Sequence, residues 1–369
     1  MWPEMTWMTK KSTKKAGFIS PLPLKRPPSL DHLIRLTDDT GLLQHASGII
    51  PNREHGYCTD DNARAVIAMA KYYAQNADPQ ALRLLNVYLS FVMHAQNNDG
   101  SFKNLMDFNR TWQQGESSSD AFGRTLWALG TVLAMPPSPA YISPVQAYFD
   151  RAVWLLPDQF PRGIAYSILG LCDYLKQFPD ADDIRQQLVS AADALVNLYS
   201  KNAIADWQWF EGSLTYDNAV LPYALFAAGL SLNCRGYLEI AEKTSAFLLD
   251  NTFTGEHFSF IGSKGWYKCG QTKATFDQQP IEAASTIMML KAAYDSSKNR
   301  RFLTLQKKAF DWFLGANDLH LPVYDSATKG CNDALMPDGL NNNQGAESTV
   351  SFLLAALTMN EKCLHILEK

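Results

Sequence analysis

Six short polar clusters recur along this chain, and each leads directly into a run of small, apolar residues with helical spacing. They are Tyr57-Cys-Thr-Asp-Asp-Asn-Ala-Arg64, Glu116-Ser-Ser-Ser-Asp-Ala-Phe-Gly-Arg124, Pro161-Arg-Gly-Ile-Ala-Tyr166, Glu211-Gly-Ser-Leu-Thr-Tyr-Asp-Asn218, Phe276-Asp-Gln-Gln-Pro-Ile-Glu282 and Asn341-Asn-Asn-Gln-Gly-Ala-Glu347. A unit that returns at the spacing of a helical hairpin restricts the chain to a stacked or closed array of such hairpins.

Apolar periodicity of three to four residues predicts helices at 29–37, 60–76, 80–97, 119–135, 145–156, 162–178, 183–200, 217–232, 236–252, 280–296, 300–316 and 346–359. Two kinds alternate. Those that follow a cluster are small or apolar all round, as in Ala219-Val-Leu-Pro-Tyr-Ala-Leu-Phe-Ala-Ala-Gly229, which suits a helix covered on every side. Those between are amphipathic, as in Ile184-Arg-Gln-Gln-Leu-Val-Ser-Ala-Ala-Asp-Ala-Leu195, and suit an outer layer. The expected fold is all-α, an (α/α)6 toroid spanning residues 29–369, preceded by a Pro- and Lys-rich extended arm over 1–28. Inner helices of such a ring run parallel, so all six clusters meet at one mouth. A short β-hairpin is expected in the loop between Glu256 and Lys268, where the sequence alternates around a turn.

Composition narrows the chemistry. Lys and Arg number 33 against 37 Asp and Glu, a net charge of −4 with no long basic run, which argues against nucleic acid as a partner. The six cysteines are scattered with no Cys-x-x-Cys spacing, so neither a zinc site nor a disulfide scaffold is expected, and the sequence calls for no cofactor. No membrane-spanning stretch and no secretory leader are evident, and a cytoplasmic location is the default expectation.

Carboxylates dominate the clusters. Asp60 and Asp61 open a helix, where the positive dipole end favours the ionised form and suits a base or nucleophile. Arg64 lies one turn on, and Asp120 and Arg124 repeat the offset. Glu211 and Asp217 supply further acids, beside Trp207, Trp209 and Tyr216. Paired carboxylates among amides, arginines and flat aromatic faces suit a polyhydroxylated ligand, and glycoside cleavage needs two carboxyls flanking the scissile bond. Asp61 and Asp120 are the first candidates for that pair, followed by Glu211, Asp217 and Asp60. Trp207 and Trp209 are expected to stack on the sugar. Tyr57, His55, Arg64, Glu116, Arg124, Arg162, Tyr216, Gln278, Gln279, Glu282, Asn342, Gln344, Glu347, Trp112 and Trp266 are candidates for holding an oligosaccharide or glycoside substrate.

Together these features resemble the six-hairpin glycosidase superfamily, and the segments 56–64 and 343–348 resemble motifs of a bacterial group linked to carbohydrate enzymes. The resemblance implies an (α/α)6 barrel with catalytic acids in the loops that enter the inner helices, and a glycoside hydrolase as the leading activity. Sugar epimerases on the same barrel use histidine pairs, for which only His55 and His257 lie near a cluster. The Gln96-Asn-Asn-Asp-Gly-Ser-Phe102 turn resembles one in terpene cyclase toroids, but Asp99-Gly100 reads better as a helix stop. A non-catalytic carbohydrate-binding toroid is the remaining alternative.

Overall fold

The computed structural model describes residues 27–115, 118–158 and 160–361. The arm expected over 1–28 therefore lies outside the described residues, apart from Pro27 and Pro28, as does Glu116.

Each polar cluster starts a helix of the inner ring. These are α2 (Thr59–Asn76), α4 (Ser119–Ala134), α6 (Pro161–Gln177), α8 (Val220–Ser231), α10 (Pro280–Ser297) and α12 (Ala346–Asn360). Each packs on the next, and α12 returns to α2, closing the ring. The outer layer consists of α1 (Asp31–Arg35), α3 (Pro79–Ala95), α5 (Ile142–Ala152), α7 (Asp182–Asn202), α9 (Arg235–Thr252) and α11 (Arg301–Phe313). The chain is thus an (α/α)6 toroid. Its inner helices are buried nearly all round, as from Thr349 to Thr358 in α12, because both the ring axis and the outer layer cover them. The first outer helix is much shorter than the predicted 29–37, with Leu36 already at its C-cap.

The seam between α4 and α6 is the closest in the ring, and glycine makes it possible. A Cβ on Gly123 would stand 2.2 Å from the Gly163 carbonyl oxygen, and one on Gly130 would stand 2.3 Å from that of Gly170. The two pairs lie one heptad apart on each helix, so the backbones touch along two turns. Arg124 follows Gly123 directly and Tyr166 lies one turn after Gly163, so this close approach sets one over the other.

Short strands decorate the mouth. β1 (Leu43–Ser47) and β2 (Ile50–Cys58) form an antiparallel hairpin that β3 (Leu105–Met106) extends. β4 (Ser213–Leu214) pairs with β5 (Tyr267–Lys268), and β6 (Ala334–Met336) with β7 (Gly339–Asn341). The hairpin expected within 256–268 is not formed: Tyr267 and Lys268 pair with Leu214 and Ser213 from the preceding mouth loop, whereas Phe258 makes a lone bridge to Phe253. Two-residue strands close better on a neighbouring loop already held by its own helix than on their own flexible arm.

Candidate active site

Three arginines organise the mouth. Arg64 reaches Asp60 at 2.9 Å and Asp61 at 2.8 Å on its own helix, then Glu347 at 2.8 Å on α12. Arg124 donates to both oxygens of Asp60, at 2.7 and 2.6 Å, and to Asp217 Oδ2 at 3.0 Å. Its guanidinium lies 4.1 Å from the centre of the Tyr166 ring and also donates to that hydroxyl. Arg162 binds Glu211 at 2.8 Å and Thr215 at 2.8 Å, with Tyr216 stacked over it at 4.5 Å. The pairing expected from the Asp60 and Arg64 spacing is present. The parallel spacing of Asp120 and Arg124 leads elsewhere, because Arg124 reaches across the ring.

Asp217 stands at the junction of this network. Its backbone adopts a left-handed φ of 46°, uncommon for a residue other than glycine. Glu282, from α10, accepts from the Asp217 amide, and its other oxygen accepts from Asn218 Nδ2 at 3.1 Å, which holds that conformation. The Tyr166 hydroxyl donates to Asp217 Oδ2, while Asp217 Oδ1 is buried without a hydrogen-bond partner. Arg64 Nε is likewise buried and unpartnered. Both orphaned polar atoms lie within the ionic floor and are closed off from solvent.

The carboxyls differ sharply in proton affinity. Burial raises Asp60, yet Arg124 and Arg64 outweigh it and hold the group below the usual carboxylate range. Burial raises Asp120, with the charge of Asp60 adding to it and Arg124 opposing. Asp61 is pushed up to about 7, by burial first, with Arg64 opposing and Asp60 adding. Glu282 is pushed up to about 8 by burial and by the Asp217 charge, despite the amides it accepts from. Asp60 keeps 16% of its side chain open and Glu347 39%, whereas Asp61 is closed in at 6%.

The remaining sequence candidates fall into two groups. Tyr216, half-exposed, interacts with Asp120 and lies 6.5 Å from the Trp266 ring, so both stand at the mouth. Gln279 occupies the N-cap position of α10, Asn342 is exposed before α12, and His55 meets His45 edge-on at 4.8 Å on the β1–β2 hairpin. Others are structural. Trp207 and Trp209 are almost completely buried, packed against Phe247 with Trp207 also against Tyr267, and present no face to a sugar. The polar stretch around them suggested a cleft, but their loop folds inward under β4. Tyr57 is buried, with its hydroxyl on Asp38 at 2.6 Å. Gln278 is buried between the Phe260 amide, Thr275 and Asp318. Gln344 is buried against Thr328. Trp112 packs on Phe91 and donates to His94.

The sequence did not single out Tyr166, which bonds to both Arg124 and Asp217, although it closes the third cluster, because its neighbours are all apolar or small. The only available signal was its position one turn after Arg162. Among the described residues, Asp60, Asp61 and Glu347 bring carboxylate oxygens within 4.8 Å of one another, and Arg64 bonds to all three. A guanidinium therefore fills the position that a cation between these acids would take. His257 bonds to Asp318 at 3.0 Å, away from the arginine network.

No family model matches this sequence, and no curated protein of similar sequence was found. Solved structures do match. A sugar epimerase from a ruminal bacterium is 11% identical, aligned over 90% of this chain and 95% of its own, with a TM-score of 0.71. The cellobiose 2-epimerase of Bacillus thermoamylovorans is 10% identical over 88% of this chain and 96% of its own, with a TM-score of 0.69. The GH76 alpha-mannanase of Bacteroides thetaiotaomicron is 14% identical over 90% and 93%, with a TM-score of 0.64. At such identities the likeness establishes the toroid and nothing finer.

Proposed function

We propose that this protein is a carbohydrate-active enzyme that hydrolyses a glycosidic bond at the arginine-lined mouth of the barrel. One observation carries the reading: Asp60 and Asp120 stand on adjacent inner helices, interact electrostatically, and are displaced in opposite directions from the usual carboxylate range. Two carboxyls with separated proton affinities are what glycoside cleavage requires. Asp120, whose proton affinity is raised by burial and by the Asp60 charge against the opposing Arg124, is the general acid toward the leaving oxygen. Asp60, ionised and held by two guanidinium groups, acts on the opposite face as base or nucleophile. Asp61, buried against Arg64, supports Asp60 from behind. The likeness of the barrel to solved family 76 glycoside hydrolases supports this reading.

A second reading is supported by the epimerase structures among the matches and by the imidazole pair on the β1–β2 hairpin. His45 interacts with Glu347 and with His55, and burial holds it below the ordinary histidine range. It would serve as a base for proton abstraction beside a sugar carbonyl. Incubation with a panel of neutral oligosaccharides, analysed for new reducing ends and for epimers, separates the two. New reducing ends that vanish in Asp120→Asn support hydrolysis. An epimer without cleavage, lost in His45→Ala, replaces it with the second reading.

A further inference from the structure

Three aromatic side chains, one of them stacked on Arg162, stand on three successive loops entering the inner helices. Phe160 precedes α6 and is 75% exposed, the most open of the large apolar residues described. Its amide donates to Ser119 Oγ at 2.8 Å, which ties it beside Asp120. Tyr216 precedes α8, stacks on Arg162 and interacts with Asp120. Trp266 precedes α10 in a left-handed conformation with φ of 59°, which is strained for so bulky a residue. The pairing of β4 with β5 explains its company. Leu214 opposite Tyr267 places Tyr216 and Trp266 at the same end of an antiparallel ribbon, with their rings 6.5 Å apart.

We infer that Phe160, Tyr216 and Trp266 form a rail along which an uncharged oligosaccharide of at least three rings lies, with Asp120 beside the Phe160 and Tyr216 stretch. The inference rests on the hydrolytic reading and names its substrate class. Pyranose rings present flat C–H faces that stack on aromatic side chains, and a row of such platforms rewards each added ring. Charge decides against an anionic chain. Arg64, Arg124 and Arg162 are each engaged by carboxylates of the mouth, and Lys264, two residues before Trp266, faces Asp277 at 3.4 Å. A uronate or sulfate at the acid end of the rail would meet Asp60, Asp120 and Glu347, where Arg64, Arg124 and Arg162 are already paired, while the exposed Lys268 stands on β5 at the other end.

The test measures equilibrium binding to the full chain carrying Asp120→Asn, which suppresses turnover. The probes are neutral gluco- and manno-oligosaccharides of one to six rings, with oligogalacturonates of equal length as the anionic comparison. The rail predicts that affinity for one neutral series rises at least tenfold from one ring to three or four. Trp266→Ala and Phe160→Ala should each remove about three- to tenfold of the longer chains' affinity, with oligogalacturonates binding at least tenfold more weakly. Affinity that is flat with length, unchanged in both aromatic variants, equal for the anionic series, or absent for every neutral chain overturns the rail. Length-dependent binding without bond cleavage by the unmodified protein leaves the rail standing and removes hydrolysis. Cleavage with length-independent binding does the reverse.

Discussion

Arg124 on α4 joins Asp60 on α2 to Asp217 before α8, holding Asp60 Oδ2 at 2.6 Å and Asp217 Oδ2 at 3.0 Å from one guanidinium. Both anions are thereby fixed relative to each other across three inner helices. Replacing Arg124 with Ala leaves buried Asp217 without its guanidinium partner, and a broken buried pair costs about 3 to 5 kcal/mol. Arg124→Lys should recover little, because a single ammonium cannot serve two carboxylates on opposite sides as a planar fork does. Thermal midpoints of the two variants against the parent check this, and a full recovery by lysine would contradict the bridging role.

Asp120→Asn should reduce turnover by a factor on the order of 100 or more, since a positioned proton donor contributes that much. Helix content by circular dichroism should be unchanged, because the side chain is only half-buried. Asp60→Asn should be as damaging to turnover and should also lower the melting temperature, since two arginines lose a shared anion. Near-normal activity in either variant removes that residue from the mechanism.

Glu282 links stability to pH. Its folded affinity for a proton is raised to about 8, above the unfolded value of 4.5. Below the unfolded value the group is neutral in both states and carries no penalty. As pH rises through the interval up to about 8, the folded state retains a proton that the unfolded chain releases, so stability falls and then levels off. Asp61, raised to about 7, adds in the same direction, whereas Asp60, held low, opposes it. Glu282→Gln should therefore show a smaller loss of melting temperature between about pH 5 and 9 than the parent. Parallel curves would rule out this titration.

The glycine seam predicts a contrast between two alanine substitutions. Gly130→Ala drives a methyl to 2.3 Å from a backbone oxygen of α6 and should destabilise by roughly 1 to 3 kcal/mol. Gly236→Ala, on the exposed start of α9, meets only the Cys234 sulfur at 3.9 Å and should be neutral or stabilising by up to about 1 kcal/mol. Denaturant midpoints for both measure the difference. Equal effects would mean that the α4–α6 contact is looser than the geometry requires.

The toroid was legible because each polar cluster had to end at a helix start, and Asp60 with Arg64 could be paired from spacing within one helix. Across the ring, spacing carries no information. Arg124 offered Asp120 as its natural partner, yet the α4–α6 contact directs it to Asp60, Tyr166 and Asp217. Glu282 suggested a sugar ligand from its cluster, but it caps the neighbouring loop by accepting from Asp217 and Asn218. Trp207 and Trp209 misled for a related reason. Polar neighbours imply exposure along a chain, while a loop folded under its own strand buries whichever side chains face inward.

Ring closure by α12 on α2 also fixes when the site can come into existence. Arg64 sits early in the chain and takes one of its three anions from Glu347, nearly three hundred residues later; at the far end of the same two helices Lys71 meets Glu361 at 2.8 Å. During synthesis from the N-terminus, the earlier hairpins can dock one upon another as they emerge, yet the gap between the first and last inner helices stays open until residues 346–360 have been made. A nascent or C-terminally clipped chain would carry Arg64 with Asp60 and Asp61 but without the Glu347 carboxylate that completes its ring of anions. The full set of ion pairs around Arg64 is therefore a property of the finished circle, complete only with the last inner helix described.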